Sequence, residues 1–153
     1  DRICYSGLGG SPDYAGLGHA QVVRLTLPTE SVVDFARLFF DEVPKRKAVD
    51  HGPQYRAAIG LRRGLRSELL PLLEEAAAGR ARLVAGTGDE ADTLGQDIVY
   101  IYDTKKLPFR PAELSNQFQD DLPDKFTTDY RVLNDVQRKI GAIFTTGCPE
   151  VRF

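Results

Sequence analysis

The chain has two cysteines and two histidines, the residue types that most often act as thiol nucleophiles and as zinc ligands: Cys4, Cys148, His19 and His51. The cysteines lie near opposite ends of the sequence, without the paired spacing of a zinc site. A disulfide between them would require the two ends of the chain to meet. Two unpaired thiols in a reducing compartment are the simpler interpretation. Neither histidine has a partner ligand at metal-binding spacing, so we expect no metal and no other cofactor.

Two kinds of segment have the composition of phosphate-binding loops. Gly7–Gly10 and Ala15–Gly18 are rich in glycine, and Lys45–Lys47 is a basic triplet. A phosphate-binding glycine loop follows a strand and leads into a helix. Here a strand is predicted after the glycines instead, and the triplet lies in a polar segment, Pro44–Gly52, that is typical of a solvated loop. The sequence therefore predicts no phosphate site.

The composition is that of a soluble globular protein. A length of 153 residues fits one domain over residues 1–153, and we see no internal boundary or repeat. The net charge of -2 gives no global field that would attract nucleic acid. No apolar run approaches the roughly 18 residues that a membrane span requires. We therefore expect neither nucleic acid nor a membrane as a partner.

Hydrophobic spacing predicts two strands and two helices in the first half. Gln21–Leu27 and Tyr55–Leu61 alternate between apolar and polar residues, which indicates strands. A helix is predicted to begin near Thr29 or Ser31, since apolar residues follow at helical spacing: Val32, Phe35, Ala36, Phe39 and Phe40. Leu65–Ala78 is predicted to be a second helix that begins at about Ser67, because Pro71 fits only a first turn.

Residue patterns in the second half of the sequence predict further strands and helices. Ala81–Ala85 is predicted to be a short strand, and Asp97–Tyr102, apolar on both faces, to be a central one. Thr87–Gln96 is predicted to be a loop, and Pro111–Gln119 and Asp129–Ile143 to be helices. Mixed helices and strands predict an α+β or α/β class.

Several motifs occur in the order found in one family. They are Tyr5-Ser6-Gly7-Leu8-Gly9-Gly10, Pro12-Asp13-Tyr14, Gly18-His19-Ala20-Gln21, Phe39-Phe40-Asp41-Glu42 and the block from Asp50 to Ile59. In these motifs the chain resembles the type A peptide methionine sulfoxide reductases, most strongly over residues 5–61. Phe109 and Ala112-Glu113 resemble a later element of the family. The resemblance implies an α+β fold of the α/β roll type, with a central mixed sheet flanked by helices.

The family's reaction needs a thiolate that attacks the sulfoxide sulfur and an acid that protonates its oxygen. The family's nucleophile lies in a Gly-Cys-Phe-Trp segment ahead of the glycine turn, which this chain does not contain. The family's acid is the glutamate of Gly-His-Ala-Glu, and Gln21 stands in its place. An amide can hold the oxygen by a hydrogen bond but cannot release a proton. The resemblance therefore does not assign a catalytic role to any residue of this chain.

Other positions of the family's substrate pocket are retained. Tyr14 and Tyr55 match its two hydroxyl donors, and Asp50 matches its aspartate. A second interpretation is that Asp50, Tyr55 and Arg56 brace a loop against the sheet. Cys148 lies where family members often have a resolving cysteine, but a bystander thiol is the preferred interpretation.

Three functions follow from these residues. The leading hypothesis is an inactive reductase-like domain that serves as an accessory subunit or binding module of a larger assembly, with other protein subunits as partners. The second is an active peptide-methionine (S)-S-oxide reductase with its cysteine segment upstream, and only this enzyme would have thioredoxin as a partner. The third is a non-catalytic peptide-binding module that uses Tyr14, Gln21 and Tyr55. A chain that begins at Asp1 would be organellar if a targeting peptide has been removed, and otherwise cytoplasmic.

Overall fold

The computed structural model describes residues 20–43, 52–110 and 128–142. Within these residues the α-helices and β-strands, in chain order, are α1 (Val32–Glu42), β1 (Ala58–Leu61), α2 (Leu70–Ala77), β2 (Arg82–Ala85), β3 (Ile98–Asp103) and α3 (Thr128–Lys139). Elements α1 to β3 belong to one compact unit, and α3 belongs to a second. Helices and a small sheet together place the chain in the α+β class.

The three described strands form one sheet in the order β1-β3-β2. Both pairings are parallel, and Tyr100 of β3 lies opposite Ala58 on one side and Val84 on the other. The prediction of a central strand after Asp97 is therefore confirmed. The described strands show no antiparallel pair, so the mixed sheet that the sequence predicts is not seen in this part of the chain. Parallel pairing depends on long-range contacts that residue patterns do not encode.

A small apolar core lies between the two helices of this unit and the sheet. Phe40, Val99 and Ile101 are almost completely buried. Around them lie the remaining buried members of the core: Ala36, Ala57, Leu61, Leu73, Ala76 and Ala77. Complete burial of one large apolar side chain contributes about 1.5–3 kcal/mol, so this cluster holds α1 and α2 against β1 and β3.

Helix α1 lies where the sequence predicts it, and Ala36 and Phe40 form its buried stripe. Helix α2 is shorter than predicted. It begins at Leu70 instead of Ser67, because residues 64–66 first form a 3-10 turn, and it still has Pro71 in its first turn.

The carboxyl end of α2 is capped by an arginine. Ala78 has a left-handed φ of 48° and ends the helix. Arg80 then donates from Nη2 to the Ala76 carbonyl at 2.8 Å and from Nε to the Ala77 carbonyl at 3.1 Å. The same guanidinium pairs with Asp41 of α1. One cation therefore satisfies free carbonyls of α2 and joins the two helices.

The prediction of a strand over Gln21–Leu27 is wrong for this structure. The segment has no regular secondary structure, and Val22, Val23 and Leu25 are 49%, 80% and 47% exposed. Alternation of apolar and polar residues indicates a strand only where a neighbouring strand completes the hydrogen-bonded ladder. The described strands do not provide that neighbour to this segment.

Helix α3, in the second unit, begins at Thr128, one residue before the helix predicted over Asp129–Ile143, and ends earlier, at Lys139. Gly141 has a left-handed φ of 71° just beyond the helix, which is typical of a helix end. Val132, Val136 and Ile140 recur at every fourth position and are exposed. The predicted helix over Pro111–Gln119 lies outside the described residues.

Candidate functional site

The predicted site residues divide between described and undescribed parts of the chain. Gln21 and Tyr55 are described. Tyr14, Asp50 and Cys148 lie outside the described residues, as do Cys4, His19 and His51.

The structure brings the segments of Gln21 and Tyr55 together. The backbone N–H of Gln21 donates to the carbonyl of Gln54, the residue before Tyr55, at 2.8 Å. Gln21 is exposed and Tyr55 is half-buried. Gln21 and Tyr55, which the resemblance assigns to one pocket, therefore lie on segments that are joined by a backbone hydrogen bond.

Tyr55 lies in a 3-10 turn and not in the strand predicted for it. The turn spans Pro53–Tyr55, and β1 begins only at Ala58. Pro53 favours the turn because its ring fixes φ near the helical value. Gly52 precedes it with a φ of 122°, which only glycine adopts readily. The N–H of Gly52 donates to the Asp92 carboxylate at 2.6 Å, which anchors the start of the turn.

Arg56, directly after the turn, is a buried cation. Its side chain is 0% exposed, and its guanidinium donates from Nη1 to the Pro53 carbonyl and from Nη2 to the Gly88 carbonyl, both at 2.7 Å. Its Nε donates to the Tyr102 hydroxyl and lies 3.6 Å from the Glu90 carboxylate. A buried charge is tolerated only when it is paired and hydrogen-bonded in this way.

Glu90 is the acid of this network. Its carboxylate accepts hydrogen bonds from the N–H groups of Thr87 and Gly88 and from the Tyr102 hydroxyl, the last at 2.7 Å. Burial acts to raise the pKa of Glu90, but the hydrogen bonds from Thr87 and Tyr102 outweigh it and lower the pKa to about 2. Glu90 is therefore ionised over the whole physiological range.

Tyr102 of β3 connects the two charges. Its hydroxyl accepts from Arg56 and donates to Glu90, so both of its hydrogen-bonding roles are used. Burial raises its pKa to about 12, and the hydrogen bond to the Glu90 carboxylate adds to the rise, against the opposing effect of Arg56. The guanidinium carbon of Arg56 also lies 5.7 Å from the centre of the Tyr102 ring, within cation–π range.

A second contact holds the same loop. The N–H of Ala57 donates to the buried hydroxyl of Thr93 at 2.7 Å. Together with the Gly52–Asp92 bond and the Arg56 network, it attaches the loop of residues 86–97 to residues 52–57 at three places. The interpretation of Arg56 as a brace between loop and sheet is confirmed. The corresponding interpretation of Asp50 lies outside the described residues.

This network positions the backbone and offers no reactive group. Its donors and acceptors are engaged with one another, Glu90 stays ionised and Tyr102 stays protonated near neutral pH. The sequence predicted a bracing role for Arg56 but none for Glu90 or Tyr102. An arginine next to an apolar strand, as Arg56 is, is a signal that predicts a buried acid partner. The loop of residues 86–97, ahead of β3, contains several acids and was the segment in which to look for that partner.

A cavity of about 290 Å³ lies elsewhere in the unit, lined by Phe40, Val43, Arg80, Ala81, Leu94, Gly95, Gln96 and Asp97. It contains none of the predicted site residues. The charged group of Arg80 is already committed to α2 and to Asp41. The cavity therefore presents no converging set of polar groups for a ligand.

Within residues 20–43, 52–110 and 128–142, no cluster of three or more histidine, cysteine or acidic side chains is placed to hold a metal ion. Helices in these ranges are too short or too polar to cross a lipid bilayer. Comparison of the chain with protein-family models, curated proteins and solved structures gives no match.

Proposed function

We propose that this chain is a methionine sulfoxide reductase A-like domain that does not reduce sulfoxides and serves as a binding or accessory module of a larger protein assembly. The α/β roll fold of that family is part of the proposal. It is supported by the ordered motifs from Tyr5 to Ile59 and by the α+β class of the described residues.

The hydrogen bond between the Gln21 N–H and the Gln54 carbonyl carries the proposal. It joins the segment of Gln21, which the resemblance assigns to the family's acid position, to the segment of Tyr55, which the resemblance matches to a hydroxyl donor of the family's pocket. A glutamine there can hold a sulfoxide oxygen but cannot protonate it. Loss of a proton-transfer group slows a reaction by roughly 100- to 10,000-fold.

Retention of Tyr55 favours binding over a purely structural role. A tyrosine hydroxyl and a glutamine amide, carried on segments that are joined through the backbone, can each hydrogen-bond to a polar oxygen on an otherwise apolar side chain. The expected ligand is a peptide segment that carries methionine sulfoxide, presented by another protein.

Calorimetric titration of the full-length protein with a peptide containing one methionine sulfoxide tests this binding. Loss of one hydrogen bond corresponds to about 0.5–1.5 kcal/mol, so Tyr55→Phe should weaken binding roughly two- to tenfold. Tyr100→Phe, which removes the hydroxyl of a half-buried tyrosine in β3, is the matched control and should bind as wild type. Absence of binding at millimolar peptide, or equal affinity for the unoxidised peptide, would contradict the proposal.

A further inference from the structure

The carboxyl ends of β1 and β3 lie side by side because the two strands are parallel neighbours. The Thr104 N–H, just after β3, donates to the Leu61 carbonyl at the end of β1 at 3.0 Å. The Arg63 N–H, just after β1, donates to the Asp103 carboxylate at 3.2 Å. The two loops that leave this end of the sheet are therefore held against each other.

These loops concentrate positive charge. We call the five cations they carry the basic edge: Arg62, Arg63 and Arg66 after β1, with Lys105 and Lys106 after β3. All five are exposed, and within the described residues none of them forms an ion pair with an acid. The chain as a whole has a net charge of -2, so this excess of cations is local.

Among the described residues, two acids lie in or directly beside the loops of the basic edge. Asp103 accepts hydrogen bonds from the N–H groups of Lys105 and Arg63, and these bonds fix both loops from within. The hydrogen bond from Lys105 and the positive charges of both lysines lower the pKa of Asp103. Glu68, exposed two residues after Arg66, is the second acid. Among the described residues of these two loops, the five cations outnumber the two acids by more than two to one.

We propose that the basic edge docks an acidic segment of a partner protein, a short run of aspartate and glutamate. Arginine pairs with carboxylates through two parallel hydrogen bonds, and three of the five cations are arginines. Asp103 fixes the backbones of both loops, so the five cationic side chains extend from one defined stretch of surface, which suits a defined partner better than a fluid bilayer. Residues 62–66 and 104–107 contain no aromatic side chain on which unpaired nucleic-acid bases could stack, and the exposed Phe109 follows two residues later.

Fluorescence anisotropy of a labelled octaglutamate peptide with the full-length protein tests this inference, which does not depend on the proposed role of Gln21 and Tyr55. We expect saturable binding that weakens as salt rises from about 20 to 300 mM, since exposed charges are screened. The double variant Arg62→Gln, Lys106→Gln should bind roughly three- to tenfold more weakly.

A charge-matched control separates local docking from a change in net charge. Arg24→Gln, Arg82→Gln removes two exposed cations from outside the basic edge, and should leave the affinity within about twofold of wild type. Circular dichroism should show that both double variants keep the wild-type fold. Absence of octaglutamate binding, equal loss in both double variants, or tighter binding of duplex DNA or phosphatidylserine vesicles than of the peptide would each overturn the inference.

Discussion

The hydroxyl of Tyr102 donates to the carboxylate of Glu90 at 2.7 Å, and this bond joins the central strand to the loop of residues 86–97. The same hydroxyl accepts from Arg56, so strand, loop and the segment that carries Tyr55 meet at one buried point. The arrangement of that segment therefore depends on a charge pair that lies outside the predicted site.

Replacement of Glu90 by glutamine should destabilise the protein. The substitution keeps the shape of the side chain but leaves the Arg56 guanidinium buried without its anion. Removal of one partner from a buried pair lowers the free energy of unfolding by about 3–5 kcal/mol, and we expect about 2–4 kcal/mol here because Glu90 is 12% exposed. Urea denaturation monitored by circular dichroism measures the change.

The neighbouring acid provides the control for this variant. Asp89 is exposed and accepts a hydrogen bond from the Thr87 hydroxyl, but it does not contact Arg56. Asp89→Asn should change the free energy of unfolding by no more than about 0.5 kcal/mol. Equal midpoints for the two variants would show that the Arg56–Glu90 pair does not contribute as described.

Acid should weaken the same pair. Because the pKa of Glu90 is lowered from 4.5 to about 2, its stabilising contribution is complete above pH 4.5 and is lost as the pH falls toward 2. A shift of this size corresponds to a loss on the order of 3 kcal/mol. Denaturation at pH 6, 4 and 2.5 should show a steeper decline for wild type than for Glu90→Gln. Parallel declines would mean that another carboxylate controls the acid response.

Much of this arrangement follows from sequence patterns, and some does not. Helix α1 and the central position of β3 were predictable because both depend on which side chains are apolar, as at Phe40 and Val99. The parallel pairing of the strands, and the lack of a described partner strand for residues 21–27, depend on contacts between distant segments that local spacing does not encode.

The predicted site shows the same division. Arg56 was singled out as a brace through the resemblance over Asp50 to Ile59, whereas its partner Glu90 lies 34 positions later in a loop without periodicity. Tyr55 was placed in a strand by alternation, but Gly52 and Pro53 impose a turn instead. Backbone restrictions at these two residues override the preference of the neighbouring side chains.

Replacement of Gly86 by alanine should disturb the network of Arg56, Tyr102 and Glu90 by displacing the ring of Tyr102. A β-carbon at Gly86 would overlap the ring of Tyr102, which cannot easily move because its hydroxyl is held by Arg56 and Glu90. Gly86→Ala should therefore lower the free energy of unfolding by about 1–3 kcal/mol.

Gly60→Ala is the control for that substitution. Its β-carbon would meet only the methyl group of Thr104, at 3.0 Å, on an exposed position of β1. The expected change is below about 1 kcal/mol. A Gly86→Ala protein as stable as Gly60→Ala would contradict the close packing of Gly86 on Tyr102.

Replacement of Ala78 by glycine should stabilise the protein. Ala78 ends α2 with a left-handed φ of 48°, a conformation that a β-carbon disfavours. Ala78→Gly relieves this strain, and after the greater chain entropy of unfolded glycine the net gain should be about 0.5 kcal/mol. Thermal denaturation should show a higher midpoint, and a lower midpoint would indicate that α2 ends differently in solution.

We propose that Gln21 occupies the place of the proton donor in the family that the chain resembles, and that the domain therefore does not reduce sulfoxides. Turnover of free methionine sulfoxide by the full-length protein, with dithiothreitol as reductant, tests it most directly when wild type is compared with Gln21→Ala. We expect turnover at the background level and no difference between the two proteins. Turnover well above background would contradict the proposal, and a fall of tenfold or more in Gln21→Ala, a loss typical of a catalytic group, would show that Gln21 takes part in the reaction.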